Sequence, residues 1–141
     1  MIGIRTFIIV DDDHVNNAIT RLMIKKTLGD ADTTIFTMPE DGLAFIQSEY
    51  VKTVKPTILF LDINMPTMTG WEFIQQFEKF SEVVKNQIAI YTLTSSIDQR
   101  DIDQAEANQY IKGFISKPMT REVINSVSSG ENLMFLPGAH P

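Results

Sequence analysis

Charged residues follow three apolar segments of this chain, at the points where the segments end. The segments are rich in the aliphatic and aromatic residues typical of buried strands, and they cover residues 7–10, 57–61 and 113–116. They are followed, in that order, by Asp11-Asp12-Asp13, by Asp62 and by Lys117-Pro118. Parallel strands of an open α/β sheet end at one edge, and ligands bind in the crevice outside those ends. We therefore expect Asp62 to leave its strand into a loop and to meet the other charged groups there.

The acidic residues at these strand ends predict a site for a hard cation. If Asp11, Asp12 and Asp62 share one crevice, each pair of charges about 4 Å apart repels by on the order of 4 kcal/mol at an effective dielectric of 20. A cation or protons must offset that repulsion. The chain has no cysteine, and His14 is expected to face solvent at the start of a helix. Oxygen ligands alone favour an ion such as Mg²⁺.

A site of this kind suits phosphoryl transfer. A carboxylate can act as the nucleophile and form an aspartyl phosphate. The transferred group then needs positive charge and hydroxyl or amide donors around its oxygens. Lys117 and the pair Thr94-Ser95 stand at the ends of predicted strands, where they could supply both.

The elements that position these residues alternate between strand and helix, the pattern of βαβ units around a parallel sheet. We predict strands over residues 6–10, 33–37, 57–61, 88–93 and 113–116. We predict helices over about residues 14–28, 39–48, 71–80, 97–110 and 120–128. The first helix carries one apolar stripe, made of Val15, Ala18, Ile19, Leu22, Met23 and Leu28, and ends at Gly29. The fourth is polar on most faces, which indicates weak packing or contact with a partner.

Length and composition narrow the class of protein. With 141 residues the chain suits one domain, which we place at residues 1–128, followed by a tail at residues 129–141. A net charge of −6 argues against direct nucleic-acid binding, which requires a basic face. No stretch of 18 apolar residues occurs and the N-terminus lacks the pattern of a signal peptide, so we expect no membrane segment and a cytoplasmic protein.

Over about residues 6–128 the chain resembles the receiver domain of response regulators, the phosphoacceptor module of two-component signalling. Four motifs carry the resemblance, and they occur in the same order as in that family. They are Val10-Asp11-Asp12-Asp13, Leu61-Asp62-Ile63-Asn64-Met65-Pro66 with Gly70, Leu93-Thr94-Ser95, and Phe114-Ile115-Ser116-Lys117-Pro118. Each motif alone is weak, and together they are highly specific. The resemblance implies a doubly wound (βα)5, flavodoxin-like three-layer sandwich with five parallel strands in the order 2-1-3-4-5.

The resemblance also implies a role for each site residue. Asp62 is then the phosphoacceptor. Mg²⁺ is held by Asp11, Asp12 and Asp62 and by the backbone carbonyl of Asn64, with Asp12 as the principal direct ligand and Asp11 acting mainly through water. Thr94 is the hydroxyl that moves onto the phosphoryl group, Lys117 is its charge partner, and Phe114 is the aromatic switch. In this family the bond corresponding to Lys117-Pro118 is commonly cis.

Partners follow from the same resemblance. The phosphoryl donor is a sensor histidine kinase or a histidine phosphotransfer protein, and the protein catalyses only its own phosphorylation and dephosphorylation, so it is not an enzyme with a separate substrate. Output passes to a downstream protein, or to a second copy in a homodimer, through the face of the fourth helix, fifth strand and fifth helix.

Other interpretations of the same residues remain open. Asp13 can simply cap the first helix, and Phe114 can belong to the core, as we expect for Trp71 and the stripe Phe73, Phe77 and Phe80. The chain can also be the receiver part of a larger regulator that carries a separate output domain. The run Asp11-Asp12-Asp13-His14-Val15 resembles the nucleophile motif of haloacid dehalogenase phosphatases, but no acidic pair follows Lys117 and the segment around Asp62 would have no role.

Overall fold

A computed structural model describes residues 3–129 of the chain. Five strands, all parallel to their neighbours, form one sheet in the order β2-β1-β3-β4-β5. They are β1 (Thr6–Val10), β2 (Asp32–Phe36), β3 (Thr57–Asp62), β4 (Ile88–Thr94) and β5 (Ile111–Ser116). The helices are α1 (His14–Leu28), α2 (Pro39–Glu49), α3 (Gly70–Phe77), α4 (Glu82–Lys85), α5 (Gln99–Ala107) and α6 (Arg121–Ser128). The predicted fold class and strand order are confirmed.

The sheet separates two hydrophobic clusters, because successive strand residues point to opposite faces. On one face Val10, Leu59 and Leu61 pack with residues of α2, α3 and α5. On the other face Ile9 and Phe60 pack with residues of α1 and α6. The molecule is therefore the three-layer sandwich that the sequence predicts. Among residues 3–129 there is no helix that could cross a membrane.

Several boundaries and one helix differ from the prediction. The fifth strand, for example, begins at Ile111 and not at Gly113. The predicted second strand lies one residue too late, since β2 runs from Asp32 to Phe36. Asp62 does not leave its strand but is the last residue of β3, opposite Leu93 of β4. The short helix α4 was not predicted, so α5 and α6 correspond to the predicted fourth and fifth helices. Of the predicted tail, residues 130–141 lie outside the described part of the chain.

Only part of the apolar stripe of α1 packs on the core, since Met23 and Leu28 contact it and other residues of the stripe are exposed. Val15 is 71% exposed and Leu22 is 47% exposed. The buried residues of α1 are Asn16, Asn17, Thr20 and Ile24. The Asn17 side-chain amide donates a hydrogen bond of 2.8 Å to the backbone carbonyl of Asp11. Polar side chains therefore occupy the inner side of the first helical turns because they bind the end of β1.

The polar helix α5 packs more firmly than its composition predicts. Ile102 and Ala105 are buried against the core. The indole N–H of Trp71 on α3 also donates to the Asp101 carboxylate of α5, at 3.3 Å. The remaining surface of α5 is mostly exposed and polar. The helix is thus held along one narrow line and leaves a charged outer face.

Candidate functional site

The carboxyl edge of the sheet brings three acidic side chains together. Carboxylate oxygens of Asp11, Asp12 and Asp62 all lie within 4.8 Å of one another. The segment after β1 supplies the first two, and the last residue of β3 supplies the third. Asp11 is 0% exposed and Asp62 is 4% exposed, whereas Asp12 reaches the surface. The convergence expected from the sequence is present.

Asp11 is surrounded by donors. Its Oδ1 accepts the backbone N–H of Asp13 at 2.9 Å. Its Oδ2 accepts the side-chain amide of Asn16 at 3.0 Å and lies 2.9 Å from Nζ of Lys117. Both oxygens of this buried carboxylate therefore have hydrogen-bond or ion-pair partners, as buried polar groups normally do.

Asp62 has fewer donors. Its Oδ1 accepts the backbone N–H of Asn64 at 3.2 Å and lies 3.7 Å from Nζ of Lys117. Burial, and after it the neighbouring charge of Asp11, together raise the pKa of the Asp62 carboxyl to about 7 against the opposing effects of Lys117 and the Asn64 N–H. In the metal-free protein Asp62 therefore keeps its proton up to a pH near neutrality. A cation at this site would favour the ionised form.

Lys117 reaches the acidic residues from the end of β5. Its backbone N–H donates to the carbonyl of Thr94 at 2.7 Å, which ties the segment after β5 to the end of β4. The Lys117-Pro118 peptide bond is cis, as the resemblance implies. Lys117 is the one cation that the described residues place in contact with both Asp11 and Asp62.

The Thr94 hydroxyl contacts the loop after β4 and not Asp62. It donates to the carbonyl of Ser96 at 2.6 Å and accepts the Ser96 N–H at 3.2 Å. The ring of Phe114 is 0% exposed and belongs to the core cluster that packs on α2, α3 and α5. An inward movement of Phe114 from the surface is therefore not available in this conformation, because the ring already lies inside.

The loop between β3 and α3 folds tightly behind Asp62. The backbone N–H of Gly70 donates to the carbonyl of Ile63 at 2.8 Å. A Cβ atom at Gly70 would stand 2.8 Å from the backbone oxygen of Asp62 and 2.9 Å from Cα of Ile63, closer than real Cβ atoms come. Glycine at this position allows the loop to return to the strand end. The Asn64 side chain points to solvent, so its contribution to the edge is through its backbone.

Two structural interpretations from the sequence are confirmed, and one site residue was missed. The Asp13 carboxylate accepts the backbone N–H of Asn16 at 3.0 Å, which makes it the N-cap of α1. His14 is exposed. The missed residue is Asn16, and the available signal was a polar side chain in the first turn of the helix that follows the acidic residues.

A parallel sheet in the order 2-1-3-4-5 with acids and a lysine at its carboxyl edge places the chain in the flavodoxin-like class of α/β proteins. The family model described as "Response regulator receiver domain" matches residues 7–128. "Chemotaxis protein CheY" of Listeria monocytogenes is 32% identical over 98 residues, which cover 70% of this chain and 76% of that protein. The chain belongs to the response regulator receiver family.

Solved structures agree with that assignment. A "Two component response regulator" from Cytophaga hutchinsonii is 28% identical and superposes with a TM-score of 0.80. The match covers 89% of this chain and 94% of that structure's chain. A "response regulator receiver protein" from Dyadobacter fermentans is 25% identical, covers 86% of this chain and 93% of its own, and has a TM-score of 0.78.

Proposed function

We propose that this receiver domain accepts a phosphoryl group on Asp62 in a Mg²⁺-dependent reaction and signals through protein contacts. The observation that carries the proposal is the position of the Asp62 carboxylate. It lies at the end of a buried strand, within the cluster formed with Asp11 and Asp12, and 3.7 Å from Nζ of Lys117. In the reaction a carboxylate oxygen of Asp62 forms a bond to phosphorus, and the bond from phosphorus to the donor nitrogen breaks.

The donor set supports Mg²⁺ as the ion. It contains carboxylate oxygens only, with no histidine or cysteine among the clustered residues. The oxygens of Asp11 already accept the Asp13 N–H, the Asn16 amide and the Lys117 ammonium, whereas Asp12 reaches the surface. We therefore assign Asp12 as the principal direct ligand, Asp11 as a ligand through water, and the Asn64 carbonyl as a further donor. When bound, Mg²⁺ neutralises charge on the phosphoryl oxygens.

The protein's own residues supply the rest of the reaction. Lys117 is near enough to Asp62 to pair with an oxygen added there. Thr94 lies at the end of the adjacent strand, and its hydroxyl can donate to the phosphoryl group after it releases the Ser96 carbonyl. The same groups serve hydrolysis of the aspartyl phosphate, so we propose self-catalysed phosphorylation and dephosphorylation and no separate substrate.

Intact mass measurement tests the phosphorylation site. The protein is incubated with Mg²⁺ and acetyl phosphate, and the wild type should gain the mass of one phosphoryl group. Asp62→Asn should gain none, because only Asp62 combines a strand-end position with the Asn64 N–H behind it. A phosphoryl group found on Asp11 or Asp12 of the variant would instead favour the phosphatase-like alternative.

The donor should be a protein, namely a sensor histidine kinase or a histidine phosphotransfer protein in the cytoplasm. Support comes from the surface next to the acidic residues. Val15 and Leu22 of α1 are exposed, and Leu22 lines a groove of about 520 Å³ with Ile35 of β2. Arg21 and Lys25 border the same groove. An apolar surface with a basic border fits a protein partner better than it fits a nucleic acid in a chain with net charge −6.

We further propose that output passes through the face of α5, β5 and α6 to another protein or to a second copy in a homodimer. A phosphoryl group adds negative charge and acceptor oxygens near Thr94 and thereby biases a two-state equilibrium of this face. Amide hydrogen exchange with and without beryllofluoride tests the proposal, and exchange should change between Thr94 and Lys117. Unchanged exchange with beryllofluoride demonstrably bound would mean that this face is not coupled to Asp62.

A further inference from the structure

Asn16 presents a buried amide to the acidic edge of the sheet. Its side chain is 5% exposed and donates to Oδ2 of Asp11 at 3.0 Å. Its backbone N–H donates to the Asp13 carboxylate that caps α1. Both ends of the residue are thus fixed, one by the helix cap and one by the carboxylate. The position of the Asn16 amide relative to Asp11 is therefore well defined.

The same oxygen of Asp11 also receives Lys117. Nζ of Lys117 lies 2.9 Å from Oδ2 of Asp11 but 3.7 Å from Oδ1 of Asp62. In this conformation the lysine is therefore committed mainly to Asp11. To pair with a phosphoryl group on Asp62, Lys117 must give up part of this contact, and the wholly buried Asp11 carboxylate would then have no direct contact with a cation, since the proposed Mg²⁺ reaches it only through water. Such a charge is costly unless other donors remain.

We propose that Asn16 is a positioning residue that holds the Asp11 carboxylate in place while Lys117 leaves it for a phosphoryl group on Asp62. The proposal rests on the proposed function. With the lysine gone, the Asn16 amide still donates to Oδ2 and the Asp13 N–H still donates to Oδ1. Each oxygen of Asp11 thus keeps one donor, and the carboxylate keeps its orientation.

An amide suits this role because it donates a hydrogen bond and carries no charge. A second cation beside Asp11 would be attracted to the phosphoryl group as Lys117 is, and would compete with Lys117 for it. A carboxylate at the position of Asn16 would add to the repulsion among three acids. An amide donates without either effect.

The test compares two affinities of the full chain, measured by calorimetry. One is the affinity for Mg²⁺ alone, and the other is the affinity for beryllofluoride at saturating Mg²⁺. Asn16→Ala should weaken beryllofluoride binding about tenfold, which is at the low end for loss of a hydrogen bond to a charged group. Its affinity for Mg²⁺ alone should change much less, because Lys117 still neutralises Asp11 when no phosphoryl mimic is present.

Thr20→Ala is the matched control. Thr20 lies one turn further along the same buried side of α1, and its hydroxyl has no hydrogen-bond partner in the described part of the chain. Its truncation should leave both affinities unchanged. Asn16→Gln keeps an amide donor and should recover part of the beryllofluoride affinity, whereas Asn16→Leu, similar in size to asparagine but without a donor, should recover none.

The outcomes separate this inference from the proposed function. A wild-type protein that binds no beryllofluoride would remove the proposed function itself. If the wild type binds and Asn16→Ala binds equally well, only the positioning role is wrong. Equal weakening by Thr20→Ala, or a parallel loss of both affinities in Asn16→Ala, would show a packing effect and would also overturn the role. If Asn16→Ala does not fold, equal beryllofluoride affinities of Asn16→Leu and Asn16→Gln would likewise overturn the positioning role.

Discussion

Replacing Asp62 by asparagine should stabilise the metal-free protein, and the gain should depend on pH. Asn resembles the protonated carboxyl in shape and charge. The folded protein holds the Asp62 proton up to a pKa of about 7, because the side chain is buried and lies beside Asp11, whereas the unfolded chain releases it near the ordinary value of 3.8. Between these values the folded state binds more protons than the unfolded state, so the wild-type free energy of unfolding falls as pH rises.

The magnitude follows from the two pKa values. A pKa of about 7 in place of 3.8 corresponds, at about 1.4 kcal/mol per pKa unit, to about 4 kcal/mol. The loss in the wild-type free energy of unfolding is absent below pH 3.8 and is complete above a pH of about 7. We therefore expect equal stabilities of wild type and Asp62→Asn at the acidic end of the range. At pH 8 the variant should be more stable by about 4 kcal/mol.

Urea unfolding in the presence of a chelator measures this difference, with the fluorescence of Trp71, the single tryptophan of the chain, as the probe. The comparison is made at several pH values from about 3 to about 8, a range that includes both 3.8 and about 7. Glu106→Gln is the control, because it removes one negative charge from an exposed side chain of α5. Its effect should stay within about 0.5 kcal/mol at every pH.

A stability difference between Asp62→Asn and wild type that does not change with pH would refute the reasoning. It would mean that Asp62 is already ionised in the folded, metal-free protein. A difference that grows with pH in Glu106→Gln as well would point to the overall negative charge of the chain and not to the buried carboxyl.

Three further substitutions test the surroundings of the site. Lys117→Met leaves the buried Asp11 carboxylate without its cation and should lower the free energy of unfolding at pH 7 by about 3 kcal/mol; an unchanged urea midpoint would contradict the ion pair. Gly70→Ala places a Cβ 2.8 Å from the Asp62 backbone oxygen and should cost about 1–3 kcal/mol in thermal unfolding, whereas unaltered melting would show that the loop can move aside. Asp13→Ala removes the cap of α1 and should cost about 1 kcal/mol while acetyl phosphate still adds one phosphoryl group; complete loss of that mass would give Asp13 a role beyond capping.

The sequence was sufficient for the sheet and for the acidic residues at its edge. Apolar segments that end in charged residues mark the ends of β1, β3 and β5, and the rule that parallel strands share an edge brings those ends together. The one-residue error in β2 has a physical cause, because this edge strand is only partly buried and its residues show no sharp alternation. The helix α4 was missed because four residues are too few for a periodic pattern.

Contacts within the site were less predictable than the site itself. The hydrogen bonds between Thr94 and Ser96 depend on how the loop after β4 turns, and nothing in the spacing of those residues fixes that turn. The preference of Lys117 for Asp11 over Asp62 is a matter of less than an ångström. Sequence reasoning identifies which groups meet at an edge, but the partner of each group depends on the packing around it.

In α1 the spacing of apolar residues did not predict which side of the helix faces the site. A stripe of apolar residues normally faces the core, and here Val15 and Leu22 face solvent. The inner side of the helix is occupied by Asn16 and Asn17, because the end of β1 carries a buried carboxylate and a carbonyl that need donors. Meeting that requirement leaves Val15 and Leu22 on the outer side of the helix, while Met23 and Leu28 of the same stripe still pack on the core. The orientation of α1 that supplies donors to Asp11 therefore also leaves an exposed apolar surface, the one that we propose for a protein donor of phosphoryl groups.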